Sequence, residues 1–229
     1  MTSATPRPVL PPSGRLLSNG SFVSLVTHRG TGFIAHGEVA LTRWRGDALE
    51  DAGGVAWYVR DRESGSTFAI GPRLANDPGG PIQAMAAPGI WTLGREHGGI
   101  ALQMTCWVTP ETPAELRRIR ITNLGDRPRA IDLTSCADIV LQDGAADAAH
   151  PVFSKLFVQT EWRADHEALL ARRRPRGEDD RHPWLLHALD GPGAAEFETD
   201  RTRFVGRGRG TRVPVALERG AALSGTAGN

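Results

Sequence analysis

Ile100-Ala-Leu-Gln-Met-Thr-Cys-Trp-Val108 alternates without a break. Ile100, Leu102, Met104, Cys106 and Val108 fall on one face, and Ala101, Gln103, Thr105 and Trp107 on the other. That period of two predicts a half-buried β-strand. Downstream, Leu116–Thr122 reads as a second strand. From Ile131 to Leu141 the device repeats, with Ile131, Leu133, Ala137, Ile139 and Leu141 set against Asp132, Thr134, Cys136 and Asp138. Asn123-Leu-Gly-Asp-Arg-Pro128 is rich in turn residues, so the three strands predict an antiparallel meander. Upstream candidates are Phe22–Thr27, Glu38–Trp44, Val55–Arg60 and Thr67–Ile70. Later ones are Phe153–Glu161, Ala168–Arg172, Trp184–Leu189 and Pro214–Leu217. No window carries a 3.6-residue apolar stripe over three turns. Many short strands separated by turn signals predict an all-β fold, a large antiparallel β-sandwich.

Composition agrees with that class. The chain has 229 residues, with 27 Gly and 16 Pro, which favours turns over long helices. Hydrophobic residues at 40% and charged residues at 23% exclude wholesale disorder. A net charge of +1 supplies no field for nucleic acid or an anionic membrane surface. Two cysteines, Cys106 and Cys136, are too few for a disulfide framework or a structural zinc site. Residues 1–14 form a Pro-rich tail without the apolar region of a signal peptide, and the sandwich domain runs over 15–229. No apolar run approaches the roughly 20 residues of a transmembrane helix, so membrane insertion is not expected and a cytoplasmic location is.

Motifs of catalysis are scarce. The seven histidines show no His-Glu-x-x-His spacing, and there is no Gly-x-Ser-x-Gly elbow. Gly206-Arg-Gly-Arg-Gly210 precedes Thr211-Arg212 and not Lys-Ser/Thr, so it reads as a turn. Asn19-Gly20-Ser21 matches a glycosylation sequon, which carries little weight without a secretory signal. In Arg172–Arg181, five basic and three acidic side chains with Pro175 and Gly177 read as a solvated loop between strands. Neither a catalytic residue nor a metal ligand set is expected.

The aromatic residues say more. Six tryptophans, at 44, 57, 91, 107, 162 and 184, serve either as core or as stacking platforms for sugars, and core is the commoner fate. Trp44 stands apart in Thr42-Arg-Trp-Arg45, where Arg43 and Arg45 offer guanidinium forks for hydroxyls or phosphate. Trp107 lies opposite its strand's apolar stripe, against a second layer or a groove. The densest unusual cluster is Asp147-Ala-Ala-His-Pro-Val-Phe-Ser-Lys-Leu-Phe-Val-Gln-Thr-Glu161. It holds the one lysine among 27 basic residues, and it is expected to be a loop that anchors Phe153, Leu156 and Phe157 in the core while His150 and Lys155 stay polar.

This segment resembles a hallmark of the glycoside hydrolase family 94 phosphorylases, particularly the phosphorylase-like region of cyclic β-1,2-glucan synthases. Leu17-Ser-Asn-Gly20, the Arg-Trp-Arg around Trp44, Val59-Arg-Asp-Arg-Glu-Ser-Gly65 and Glu115-Leu-Arg-Arg-Ile-Arg-Ile-Thr-Asn123 agree in order. So do Phe197–Gly208 and Leu223–Gly228, so the resemblance spans roughly residues 17–228. It implies an N-terminal β-supersandwich, which in that family precedes a helical linker and an (α/α)6 barrel holding the catalytic acid. The expectation is therefore a non-catalytic sugar-binding or scaffolding sandwich, C-terminally incomplete and inactive alone. Its partners would be a β-glucan oligosaccharide, the absent barrel and a second subunit in the parent enzyme. No cofactor is implied, and inorganic phosphate is the parent's co-substrate. Arg43, Trp44, Arg45, His150 and Lys155 are the candidate sugar contacts. The chain departs from the family pattern at Gly30-Thr-Gly-Phe-Ile-Ala-His36, where relatives read Gly-x-Gly-Tyr-Ser-Arg-Trp, and at Thr67-Phe68, where they read Trp-Ser. A stand-alone carbohydrate-binding module for β-glucans is the alternative reading. Sheet edges left open by an incomplete sandwich predict poor solubility.

Overall fold

A computed structural model describes residues 14–46, 53–71, 74–76, 80–175, 177–178, 180 and 182–228. The first strands are β1 (Gly14–Ser18), β2 (Phe22–Thr27), β3 (Gly32–His36), β4 (Val39–Thr42), β5 (Val55–Asp61) and β6 (Thr67–Ile70). Then come β7 (Gln83–Ala87), β8 (Ile90–His97), β9 (Ile100–Val108), β10 (Glu115–Asn123), β11 (Ile131–Ala137) and β12 (Ile139–Asp143). Helices α1 (Gly144–Ala149) and α2 (Pro151–Lys155) precede β13 (Val158–Arg163), β14 (Ala168–Arg173) and β15 (Leu185–Ala188). A short helix α3 (Arg201–Phe204) and a 3-10 turn at Val215–Leu217 complete the described elements.

All described pairings are antiparallel, in four sheets ordered β1-β2-β3-β4-β12, β10-β9-β8-β7, β11-β5-β6 and β13-β14-β15. The all-β expectation holds. The first three sheets close on one core of Val26, Val59, Phe68, Ile70, Trp91, Leu93, Leu102 and Met104. The stripe that sets the fold behaves as its alternation requires: Ile100, Leu102, Met104 and Cys106 are buried. Each such large apolar side chain contributes about 1.5–3 kcal/mol on leaving water. Strand β5 is buried on both faces, because Ala56 and Tyr58 on its far side lie beneath Phe204, Val205 and Ala216. Two glycines permit close backbone approach, Gly54 between two sheets and Gly32 within one. A Cβ on Gly54 would lie 1.9 Å from the Gly32 carbonyl oxygen, and one on Gly32 1.8 Å from that of Leu25.

Several expectations are corrected. The run Ile131–Leu141 is two strands, since the chain changes sheets at Asp138: β11 pairs with β5 and β12 with β4. The expected meander therefore runs β8-β9-β10 instead of β9-β10-β11. Phe153–Glu161 begins as helix α2 and becomes strand only at Val158, because Pro151 presets the first helical turn, and Phe153 and Leu156 are exposed instead of anchored in the core. Pro214–Leu217 is a 3-10 turn, too short to pair. Within the expected solvated loop, Arg172 and Arg173 belong to β14 and Arg173 is buried, while Arg176, Asp179 and Arg181 lie outside the described residues. Of the expected tail, residues 1–13 also lie outside the described residues, and Gly14 already pairs with Thr27.

A candidate sugar-facing corner and its ion clamp

Strand β4 delivers Arg43 to the point where the chain changes sheets. The Arg43 amide donates to the Asp138 carbonyl (2.8 Å), the Gly54 amide to the Arg43 carbonyl (2.5 Å) and the Asp138 amide to the Gly54 carbonyl (3.2 Å). Opposite stands α1, whose N-terminus is capped by the Asp143 carboxylate accepting from the Ala146 amide. The helix turns Asp147 inward onto Arg43. Arg43 Nε donates to Asp147 Oδ2 at 2.6 Å and Nη2 to Oδ1 at 2.5 Å, a bidentate pair with both side chains buried. Arg43 Nη1 reaches Asp138 at 3.3 Å, and Nη2 also donates to the Pro151 carbonyl at 3.2 Å. Lys155 Nζ lies 3.4 Å from Asp138 Oδ1. Beneath α2, Ser154 accepts from Gln142 Nε2 (2.8 Å), and the Arg173 guanidinium donates to the Ser154 carbonyl (3.0 Å).

The electrostatics follow from this packing. Burial works against ionising Asp147, but the hydrogen bonds from Arg43 and Ser154 and the charges of Arg43 and Lys155 reverse it. The carboxyl is held below the usual range. Burial also opposes charge on Arg43, and the carboxylates of Asp147 and Asp138 overcome it, raising its pKa. Lys155 is shifted down by burial, with Arg201 and Arg43 adding to the effect against Asp138. Cys136, close by, is pushed up to about 12 by burial and by Asp138.

The five candidate sugar contacts therefore take different places. Arg43 and Lys155 converge on Asp138, and the Arg43 fork is engaged inside the protein instead of facing solvent. Trp44 and Arg45 follow at a corner, where Trp44 is half-buried, bridges to Gly53 and tilts 30° to Phe33 with ring centroids 6.2 Å apart. Arg45 is exposed. Together with Phe33, Glu38 and Pro151 they border a shallow hollow of about 320 Å³. His150 is exposed at the α1–α2 junction, where its carbonyl accepts from the Ser154 amide (2.9 Å). Asp138, Gln142 and Ser154 had no sequence signal of their own. Asp147 opened the unusual cluster, but nothing in the spacing tied it to an arginine 104 residues away.

Of the tryptophans, Trp57 and Trp91 are core, Trp107 carries the Arg118 guanidinium 5.6 Å from its ring centre, and Trp184 is exposed. Trp162 stacks on Phe197, with centroids 4.3 Å apart, inside a second and far larger cleft of about 2040 Å³ between β10, β11 and β13–β15. Among the described residues, no three His, Cys, Asp or Glu side chains gather as metal ligands would, and no helix is long and apolar enough to cross a membrane.

Comparison with known proteins adds the relationship. The chain is 32% identical over 217 residues to the cyclic beta-(1,2)-glucan synthase NdvB of Rhizobium meliloti, a match covering 93% of this chain and 8% of that protein. It is 26% identical over 227 residues to the solabiose phosphorylase of Paenibacillus borealis, covering 95% of this chain and 28% of the phosphorylase. The chain thus spans less than a third of the length of either curated relative. Residues 2–229 match the family described as Glycosyl hydrolase 94, supersandwich domain. With its antiparallel sheets and its match over nearly every residue, the chain belongs to the glycosyl hydrolase 94 family as a supersandwich domain.

Proposed function

We propose that this chain is a non-catalytic, sugar-facing scaffold. It supports the (α/α)6 barrel of an enzyme that forms or phosphorolyses β-glucans, and it lines one edge of the glucan path. The glycosyl transfer to or from phosphate belongs to that barrel, and the chain alone is inactive. One observation carries the sugar-facing part: the buried Arg43–Asp147 clamp fixes the backbone from which Trp44 and Arg45 project beside Phe33. An aromatic wall next to a guanidinium suits a pyranose, whose C–H face packs on a ring while its hydroxyls accept from the cation. Of the two relatives, the cyclic beta-(1,2)-glucan synthase favours glucans as the sugar class.

Calorimetric titration of the chain with linear and cyclic β-1,2-glucans tests this, with inorganic phosphate as a control. The expected result is saturable glucan binding that falls at least tenfold in Trp44→Ala and less in Arg45→Ala, with no heat from phosphate. A chain that melts cooperatively yet binds no glucan removes the sugar-facing part and leaves the scaffold.

A further inference from the structure

Consecutive strands β10 and β11 do not pair with each other. Each residue of β10 from Glu115 to Asn123 pairs with β9, and each residue of β11 from Ile131 to Ala137 pairs with β5. On their other edges, the backbone groups of both strands have no partner among the described residues. The two open edges border the same cleft of about 2040 Å³. An extended edge of nine residues without bulge or proline is a template for strand addition.

The side chains of β10 specify what fits. Leu116, Arg118, Arg120 and Thr122 form its exposed face. On the other face Glu115 and Arg117 pair with each other, and Glu115 also pairs with Ser24, so those charges are satisfied internally. Beyond them Ile119 and Ile121 line the cleft, as do Ile131 and Leu133 of β11; Ile119, Ile131 and Leu133 also pack against the core, and Ile121 is exposed. Arginines on one face would merely blunt this edge if the other face were closed, but at Ile121 the apolar face opens into the cleft. A second copy is a poor occupant. Antiparallel self-pairing centred on residues 118–120 sets arginine against arginine in every register, and like charges directly opposite are destabilising.

We infer that the free edge of β10 accepts a β-strand from another polypeptide segment, one that alternates apolar with acidic residues. Its apolar side fills the cleft against Ile119, Ile121, Ile131 and Leu133, and its acidic side lies against Arg118 and Arg120. This inference does not depend on the sugar-facing reading, since it concerns a different face.

The test uses the full chain and two fluorescent nine-residue peptides, one alternating valine with glutamate and one alternating valine with lysine. Anisotropy should show saturable binding of the glutamate peptide, at least tenfold tighter than the lysine peptide and weakened by salt. The double variant Arg118→Glu/Arg120→Glu changes two exposed side chains, of which Arg118 also covers Trp107, and it should invert the preference while the thermal melt falls by no more than a few degrees. Absence of binding by folded protein, equal binding of both peptides, or indifference to the double variant would each overturn the proposal. So would sedimentation showing a dimer that the double variant abolishes, since the edge would then belong to a second copy.

Discussion

Residues 14–143 and residues 158–228 hide apolar surface in different ways. In the first region three sheets close on one another, and Val26, Val59, Ile70, Leu93 and Met104 have no exposed surface left. In the second, the three-stranded sheet leaves Trp184 and Leu186 at 53% and 60% exposure. Among its described residues, the segment after β15 has only α3 and a 3-10 turn. That segment packs Phe204, Val205 and Ala216 on Ala56 and Tyr58 of β5 and adds point attachments: Tyr58 Oη donates to the Thr211 carbonyl at 2.9 Å, and Arg60 Nη1 to the Glu218 carbonyl at 2.6 Å. One region is held by closed sheets and the other by a smaller apolar contact with tethers, with the Arg43 clamp between them. The two should therefore fail differently when residues are removed.

The largest effect is expected at the clamp. Arg43→Ala leaves Asp147 buried without its guanidinium, which costs about 3–5 kcal/mol in the usual case, read as a lower urea midpoint. Its pH dependence has a definite sign. Asp147 is held below its unfolded pKa of about 3.9. Its contribution is complete above that value and is lost as pH falls through the depressed folded pKa. The urea midpoint of the parent chain should thus fall steeply below about pH 4. Arg43→Ala should fall less steeply, with Asp61, which is shifted in the same direction, keeping part of the slope. An unchanged acid limb would show that the clamp contributes nothing through charge.

Next comes the contrast of two leucines. Leu93→Ala opens a cavity in the closed region and should cost about 2–5 kcal/mol. Leu186→Ala, on the exposed face of β15, should stay within about 0.5 kcal/mol. Comparable losses for both would mean that the β13–β15 sheet is as tightly covered as the core. The smallest global effect belongs to Tyr58→Phe, which removes one tether at a cost of about 1 kcal/mol. Its signature is local: amides of residues 204–217 should exchange faster while those of β9 keep their protection. Uniform loss of protection would contradict the tether description.

What the sequence reveals follows the same division. Strands β2, β6 and β9 were legible to the residue because turn residues bound them, and in β9 an unbroken alternation adds to that. Strand β7, Gln83-Ala-Met-Ala-Ala87, is exposed throughout and small, so no period marks it. The break at Asp138 was invisible because alternation continues through it. The structure makes the turn with a register shift between Ile139 and Gln142 and a left-handed Leu141 (φ 57°), neither of which a hydrophobic pattern encodes. Helices α1 and α2 have six and five residues, less than two turns, so they print no 3.6-residue stripe. At the candidate corner, the residue types around Trp44 were legible. The inward direction of Arg43 was not, because its partners lie 95 and 104 residues on and only the closed sheets bring them near.

That separation also orders events in time. Strands β1 to β4 pair with one another in sequence order, so they can assemble as soon as they emerge from the ribosome. Their fifth partner, β12, and the Asp147 that locks Arg43 arrive about a hundred residues later, after a long loop has been closed. Until then the outer edge of β4 stands open and Arg43 lacks its counterion. The nascent chain passes through a stage whose hazard is mispairing at β4, and synthesis of α1 ends it.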